Sequence, residues 1–341
     1  MTHVVKIAQW GEPVEVDDGL TLLEAALEQG VPYPHGCRSG NCGACKSRLY
    51  AGSVEMKPYS DFALTDEEKE SGFVLACRSL PQENLEVAWL NDDEEMVAHP
   101  LRRFEAVVAE RTEMTHDIVR LRLAVPEGVE FAYTAGQYAS LGFAGRPGRD
   151  YSMASKPGGG VLEFHIRAMD DGEVSNFVRD EIGEGDKVAV EGPYGAAYLR
   201  EAHRGPILAI AGGSGLAPVK AIVETALEKD MPQPMFLYFG VRGERDVYLE
   251  EEFARLAEAH ERLRIQIVLS EPEGETGRRT GFVHDAVAAD FDDLDGCKAY
   301  LAGPPVMVEA ATEMLEIRDM RPEDIHADAF YTEAEKAALN G

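Results

Sequence analysis

The side chains with the most specific chemical spacing in this sequence are four thiols. Cys37, Cys42 and Cys45 fall within nine residues, and Cys77 follows downstream. A zinc site would want two Cys-x2-4-Cys pairs or Cys/His pairs at finger spacing, and only Cys42 and Cys45 form such a pair. A disulfide framework does not suit a 341-residue chain with five cysteines and no export signal, which reads as cytosolic. The order Cys-x4-Cys-x2-Cys…Cys instead matches the spacing that holds a [2Fe–2S] cluster, with two thiolates on each iron. Such a loop must bring backbone N–H groups to the sulfurs, and Gly36, Gly40 and Gly43 allow the close approach.

Three further stretches carry chemistry. Arg149-Asp150-Tyr151-Ser152 sets an arginine beside an aromatic ring and a hydroxyl, so that it could clamp a phosphate, cover a planar ring and offer a hydrogen bond to a ring nitrogen. Gly172-Glu173-Val174-Ser175 opens a helical stretch, and its N-terminus is a ready anion site with Ser175 as an additional donor. Gly212-Gly213-Ser214-Gly215 lies between a strand-like run and a helical one, where glycines admit a pyrophosphate onto backbone N–H groups. It is not a strict Gly-x-Gly-x-x-Gly fingerprint. Taken singly, each of these three also reads as an ordinary surface strand or turn.

The elements that must position these residues fall into three successive patterns. Strand-like runs at Val4–Ile7 and Val14–Val16, a helix over Thr21–Glu28, the cysteine loop, a short helix over Thr65–Glu70 and runs at Phe73–Cys77 and Leu85–Trp89 predict a small mixed sheet folded over one helix. Asn91–Glu95 reads as a charged linker closed by His99-Pro100. Six short strands between Phe104 and Glu191, with helical character only over Ser175–Ile182, predict an antiparallel barrel. From Pro206 onward, apolar strands alternate with helices in a doubly wound α/β pattern that reaches a last strand at Ile325–Tyr331. Thr332–Gly341 reads as a surface tail. The domain ranges expected are 1–93, 100–203 and 204–333.

Composition narrows the function classes. With 62 acidic against 33 basic residues the formal charge is −29, which repels nucleic acid and anionic membrane surfaces. No apolar run approaches the length of a membrane span. Cys297 reads as an unpaired structural thiol, and His165 and His326 as packing or hydrogen-bonding residues.

Cys37 to Cys45 together with Leu75-Ala76-Cys77 resemble plant-type ferredoxins of the β-grasp fold. Arg149–Ser152 and the barrel resemble the flavin domain of the ferredoxin–NADP reductase superfamily, and Gly212–Pro218 with Gly303-Pro304-Pro305-Val306-Met307 resembles its nicotinamide lobe. In that order the three modules resemble the NADH-dependent reductase components of bacterial oxygenase systems, both ring-hydroxylating Rieske dioxygenases and diiron phenol-hydroxylase-type monooxygenases.

The resemblance implies that Tyr151 and Ser152 face the isoalloxazine of FAD, while Arg149 and Gly172 to Ser175, including Val174, hold its pyrophosphate. Gly212, Gly213, Ser214, Gly215, Gly303 and Pro304 would take the nicotinamide cofactor, and Phe330, or else Tyr331, would cover the flavin face. Many members carry cysteine where Ala302 stands. Arg242 and Arg245 could read a 2′-phosphate or simply pair with Glu244 and Asp246; the surrounding negative charge and the resemblance favour NADH. No side chain is expected to act as nucleophile or general acid. The expected partner is a terminal oxygenase or an intermediate ferredoxin; a redox sensor and a free-standing flavin or quinone reductase are the other classes.

Overall fold

The computed structural model describes residues 1–90, 97 and 99–339, so the expected Asn91–Glu95 linker lies outside the described residues. The chain forms two compact units. One comprises Met1–Leu101 with Tyr194–Ala196 and Tyr331–Gly341, and the other Arg102–Pro193 with Ala197–Phe330.

The first unit is built on strands β1 (Thr2–Ile7), β2 (Val14–Asp17), β3 (Lys46–Ala51), β4 (Val54–Met56), β5 (Phe73–Leu75), β6 (Ser79–Pro81) and β7 (Leu85–Trp89). Five of them make a mixed sheet in the order β2-β1-β7-β3-β5, with β1 and β7 parallel, and β4 pairs with β6 separately. Alternation in β1 and β2 turns Val5, Ile7, Val14 and Val16 inward, where they meet Leu22, Leu23, Ala25 and Ala26 of helix α1 (Leu22–Glu28). This is the β-grasp arrangement. Helices α1 and α2 (Asp66–Glu70) each start on a capping box, Thr21 with Glu24 and Thr65 with Glu68. The run expected to reach Cys77 as a strand stops at Leu75, because the chain turns there, with the Arg78 N–H bonded to the Leu75 carbonyl.

In the second unit, β8 (Arg102–Glu113), β9 (Ile118–Ala124), β10 (Tyr138–Phe143), β11 (Arg149–Ser152), β12 (Val161–Arg167) and β13 (Lys187–Tyr194) form one antiparallel sheet in the order β11-β10-β13-β8-β9-β12. A bridge between Met153 and Phe164 brings its two edges together, so the sheet is nearly a closed barrel around Leu121, Leu141, Phe143 and Phe164. Helix α3 (Glu173–Asp180) buries Val174 and Val178 against this core.

The rest of the unit is a parallel sheet. Strands β14 (Ile207–Gly212), β15 (Met235–Val241), β16 (Leu263–Leu269), β17 (Arg279–Thr280), β18 (Lys298–Gly303) and β19 (Ile325–Ala329) run in the order β17-β16-β15-β14-β18-β19, with helices α4 (Leu216–Glu228), α5 (Glu250–Ala259), α6 (Val283–Asp290) and α7 (Pro305–Ile317) between them. Every residue of β14 and β18 is buried, as continuous apolar runs covered on both faces require. The strand order reverses between β14 and β18, so the crevice at their carboxyl ends is the place where this topology binds ligands. The C-terminal segment expected as a tail contains helix α8 (Glu333–Leu339), started by Thr332 and Glu335, whose side chain accepts from the Thr332 N–H at 2.7 Å. No helix among the described residues is long and apolar enough to cross a membrane.

Candidate cofactor sites

In the first unit the loop between α1 and β3 folds back on itself so that its amides point at sulfur. The Cys37 N–H donates to Cys42 Sγ at 3.3 Å, the Asn41 N–H to Cys37 Sγ at 3.3 Å and the Cys77 N–H to Cys45 Sγ at 3.5 Å. The thiols meet in pairs, Cys37 with Cys42 and Cys45 with Cys77. Donation from the Cys42 thiol holds Cys37 well below the usual thiol range and pushes Cys42 well above it; the bond to Cys45 likewise raises Cys77.

Two pairs of sulfurs, each receiving amide hydrogen bonds, suit a [2Fe–2S] cluster held by two thiolates per iron. The loop also leaves no room for side chains in place of its glycines. A Cβ on Gly36 would stand 3.1 Å from Cys42 Sγ, and Gly40, at φ +81°, would set one 2.9 Å from Tyr59. Cys45 and Cys77 are buried in the core of the unit, whereas Cys37 and Cys42 are half-buried.

In the second unit β11 carries Arg149, Tyr151 and Ser152 along the barrel edge. Tyr151 is half-buried, and burial pushes its phenol upward. Ser152 is buried and its hydroxyl donates to Asp328 Oδ2 at 3.0 Å. Asp328, on β19, was not among the residues picked out from the sequence. Arg149 turns one guanidinium nitrogen to the Gly148 carbonyl at 2.9 Å.

The α3 entry departs from expectation in one respect. The Ser175 hydroxyl donates to the Gly172 carbonyl at 3.2 Å and accepts from the Met169 N–H at 3.1 Å, so it braces the turn rather than standing ready for an anion. A Cβ at Gly172 would lie 2.2 Å from Ser175 Oγ, so a side chain there would push that hydroxyl out of its present bonds. The free N–H groups of the first turn, which include those of Glu173 and Val174, remain the donors available to a pyrophosphate.

At the sheet reversal, β14 ends in Gly212 and passes through a single 3-10 turn, Gly213–Gly215, into α4. Here Gly215 and Gly303 pack on backbone, and Gly212 packs on the Met307 side chain. A Cβ at Gly215 would fall 2.0 Å from the Ala302 carbonyl oxygen, one at Gly212 2.5 Å from Met307 Sδ, and one at Gly303, at φ +147°, 2.9 Å from the Gly212 carbonyl oxygen. The result is a side-chain-free floor of the kind a pyrophosphate needs, at a helix start. Gly303 also accepts the Phe330 N–H at 2.8 Å, which fixes the half-buried Phe330 beside Gly303-Pro304. Ala302 is buried.

The remaining singled-out residues have structural surroundings. His326 stacks on Tyr300 with centroids 5.3 Å apart, and burial pushes its pKa well down. His165 bonds Glu163 at 3.1 Å and the Tyr248 hydroxyl at 3.2 Å. Cys297 is a buried free thiol.

Known proteins match the whole chain in the same order. Residues 5–82 match the family model of the 2Fe-2S iron-sulfur cluster binding domain, 105–198 that of the oxidoreductase FAD-binding domain and 209–313 that of the oxidoreductase NAD-binding domain. The ferredoxin–NAD(P)+ reductase component of the naphthalene 1,2-dioxygenase/salicylate 5-hydroxylase systems of Ralstonia sp is 40% identical over 326 residues, which span 93% of this chain and 95% of that protein. The reductase component DmpP of phenol 2-monooxygenase from Pseudomonas sp. (strain CF600) is 35% identical, covering 99% of this chain and 97% of its own. The crystal structure of the Amycolatopsis cytochrome P450 reductase GcoB superposes with a TM-score of 0.86 at 36% identity, over 96% of this chain and 99% of that one. The chain therefore belongs to the family of NAD(P)H-dependent electron-transfer reductases that combine a [2Fe–2S] ferredoxin domain with FAD- and NAD-binding domains and serve as reductase components of oxygenase systems.

Proposed function

We propose that this chain carries electrons from NADH through FAD and a [2Fe–2S] cluster to a ring-hydroxylating Rieske dioxygenase, directly or through an intermediate ferredoxin, in the cytoplasm. The observation that carries the reading is the meeting of two sites in one unit: Ser152 of the barrel is bonded to Asp328, on the strand next to Gly303, where the parallel sheet reverses. A flavin lying on β11 and a nicotinamide lying on the Gly212–Gly215 floor would thus face each other. When bound, the flavin mediates between a two-electron donor and one-electron acceptors.

The chain's own part is to hold and orient. Cys37, Cys42, Cys45 and Cys77 would ligate the cluster, and the amides of Cys37, Asn41 and Cys77, which donate to Cys42, Cys37 and Cys45 Sγ, would stabilise charge on the ligating sulfurs. Arg149 and the α3 N-terminus would take the flavin pyrophosphate, Tyr151 would cover the ring, and Ser152, its proton donated to Asp328, would present its oxygen lone pairs to the ring edge. Gly212, Gly213, Ser214, Gly215, Gly303 and Pro304 would seat the nicotinamide cofactor, with Phe330 over the flavin until it arrives. We place the three functional domains at 1–93, 100–203 and 204–333.

A second acceptor class is favoured by the phenol 2-monooxygenase reductase, whose match covers 99% of this chain. The experiment is NADH-driven turnover of purified Rieske and diiron oxygenases with this chain as the sole reductase. Turnover of a Rieske component at rates well above those with a diiron component supports the first reading; the reverse order overturns it.

A further inference from the structure

The carboxyl edge of the parallel sheet holds an arginine that the expected cofactor contacts leave out. Arg278 immediately precedes β17, which pairs with the last residues of β16, so it lies at the same edge as Gly243-Glu244, just beyond the end of β15. Its Nε donates to Glu244 Oε2 at 2.8 Å, and its Nη1 and Nη2 donate to the two oxygens of Glu250 at 2.7 and 2.9 Å. Glu244 is held in turn by the Thr276 hydroxyl at 2.9 Å. The guanidinium is thus occupied on two sides, and its side chain is 25% exposed against 53% and 49% for its partners.

In an open α/β sheet the residue beyond the second strand, next to the pyrophosphate loop, decides between the two nicotinamide cofactors. A carboxylate there accepts from a free 2′-hydroxyl, and an arginine accommodates a 2′-phosphate. Here both groups stand at that place, bonded to one another. We infer that Arg278 is a latent 2′-phosphate site, and that Glu244 and Glu250 close it by taking up its guanidinium, making the chain select NADH over NADPH. This rests on the proposed seating of the nicotinamide cofactor on the Gly212–Gly215 floor.

The chemistry favours Arg278 over its neighbours. A guanidinium fixed in a bidentate pair already has the planar geometry that a phosphate would use, so exchanging carboxylate for phosphate needs no new orientation. Arg245 is 72% exposed and approaches Asp246 no closer than 4.0 Å, and Arg242 is exposed. Removing the two carboxylates costs little stability, because solvent-exposed ion pairs are screened by water and contribute little.

The test uses the cofactor-loaded full chain and its Glu244→Gln/Glu250→Gln variant. Binding of 5′-AMP and of 2′,5′-ADP is measured by calorimetry, alongside kcat/KM for NADH and NADPH at one ionic strength. The expected result is a gain on the order of tenfold or more in 2′,5′-ADP affinity, with 5′-AMP affinity changed little, and a parallel rise in the NADPH/NADH ratio. Adding Arg278→Ala should abolish the gain. Adding Arg245→Ala should leave it in place, and Glu251→Gln/Glu258→Gln, which removes the same charge from the exposed side of α5, should not produce it. No gain in the double variant, a gain that survives Arg278→Ala, or an equal gain from the α5 control would overturn the inference. Failure of 5′-AMP to bind the unaltered chain would instead count against the nicotinamide seat itself.

Discussion

The Ser152 hydroxyl and the Asp328 carboxylate meet at 3.0 Å across 176 residues of sequence, joining a barrel strand to a strand of the parallel sheet. The carboxylate accepts the hydroxyl proton, which fixes the direction in which the oxygen lone pairs point. Ser152→Ala should therefore slow flavin reduction by NADH by roughly 10- to 100-fold with FAD retention unchanged. Asp328→Asn should give a smaller loss, since an amide oxygen can still accept. Stopped-flow flavin bleaching measures both, and equal rates in all three proteins would remove any orienting role.

For the four thiols, the purified protein should hold about two iron and two acid-labile sulfide per chain, with a one-electron EPR signal on reduction. Cys77→Ser should lose the cluster while FAD stays bound and is still reduced by NADH, because the thiols and the flavin residues belong to different units. Zinc in anaerobically prepared protein is the outcome that excludes the cluster.

Arg149→Ala should weaken flavin retention, read as free flavin after gel filtration, because it removes a cation from the proposed pyrophosphate position. Flavin released by gentle denaturation should be FAD; recovery of FMN would contradict the assignment.

Gly215→Ala places a methyl 2.0 Å from the Ala302 carbonyl oxygen, a backbone atom with little room to retreat. The variant should be destabilised by about 2 kcal/mol or more in chemical denaturation and should lose nicotinamide affinity. Gly145→Ala serves as the comparison: unlike Gly215, at φ −60°, it has a positive φ of +76°, but it meets nothing within 4 Å, so its strain is local to the loop.

Glu163 is buried between Arg122 at 2.8 Å, His165 at 3.1 Å and Lys220 at 3.5 Å. Burial opposes its ionisation, but hydrogen bonding to His165, the Lys220 charge and the Arg122 contact outweigh this and hold it well below the usual carboxylate range. A depressed folded-state pKa means that the stabilisation is present above the unfolded carboxylate pKa of about 4.3 and is lost as pH falls below it. Glu163→Gln should lower stability at pH 7 by about 3 kcal/mol and flatten the decline between about pH 5 and pH 2. Denaturant midpoints against pH give both numbers.

Much of the architecture was legible because local rules and tertiary packing agree. Thr65 three residues before Glu68 announced a helix of only five residues, and alternation announced β1, β2 and β7. The edges were less visible. β8 runs from Arg102 to Glu113, well beyond the apolar Val107–Ala109, because its polar ends are held by register with β13 and β9 rather than by burial. Helix α4 begins at Leu216, because Pro218 is tolerated in a first turn and does not delay the start. In the candidate sites, residue type and spacing brought out the cysteines, Ser152 and the glycines. Asp328 and Arg278 escaped notice because their meaning lies in partners far along the chain, which no local pattern encodes.

The division of the thiols, with Cys45 and Cys77 inside the core and Cys37 and Cys42 on a half-buried loop, has a bearing on maturation. Val5, Leu22, Leu75 and Val87 lie in the same core as Cys45 and Cys77, and most of the residues that build it are not thiols. The ferredoxin domain should therefore fold first and receive its inorganic part afterwards, through the loop side that carries Cys37 and Cys42. Cluster-free protein from iron-starved cells should accordingly keep its far-UV circular dichroism and accept iron and sulfide without a denaturation step.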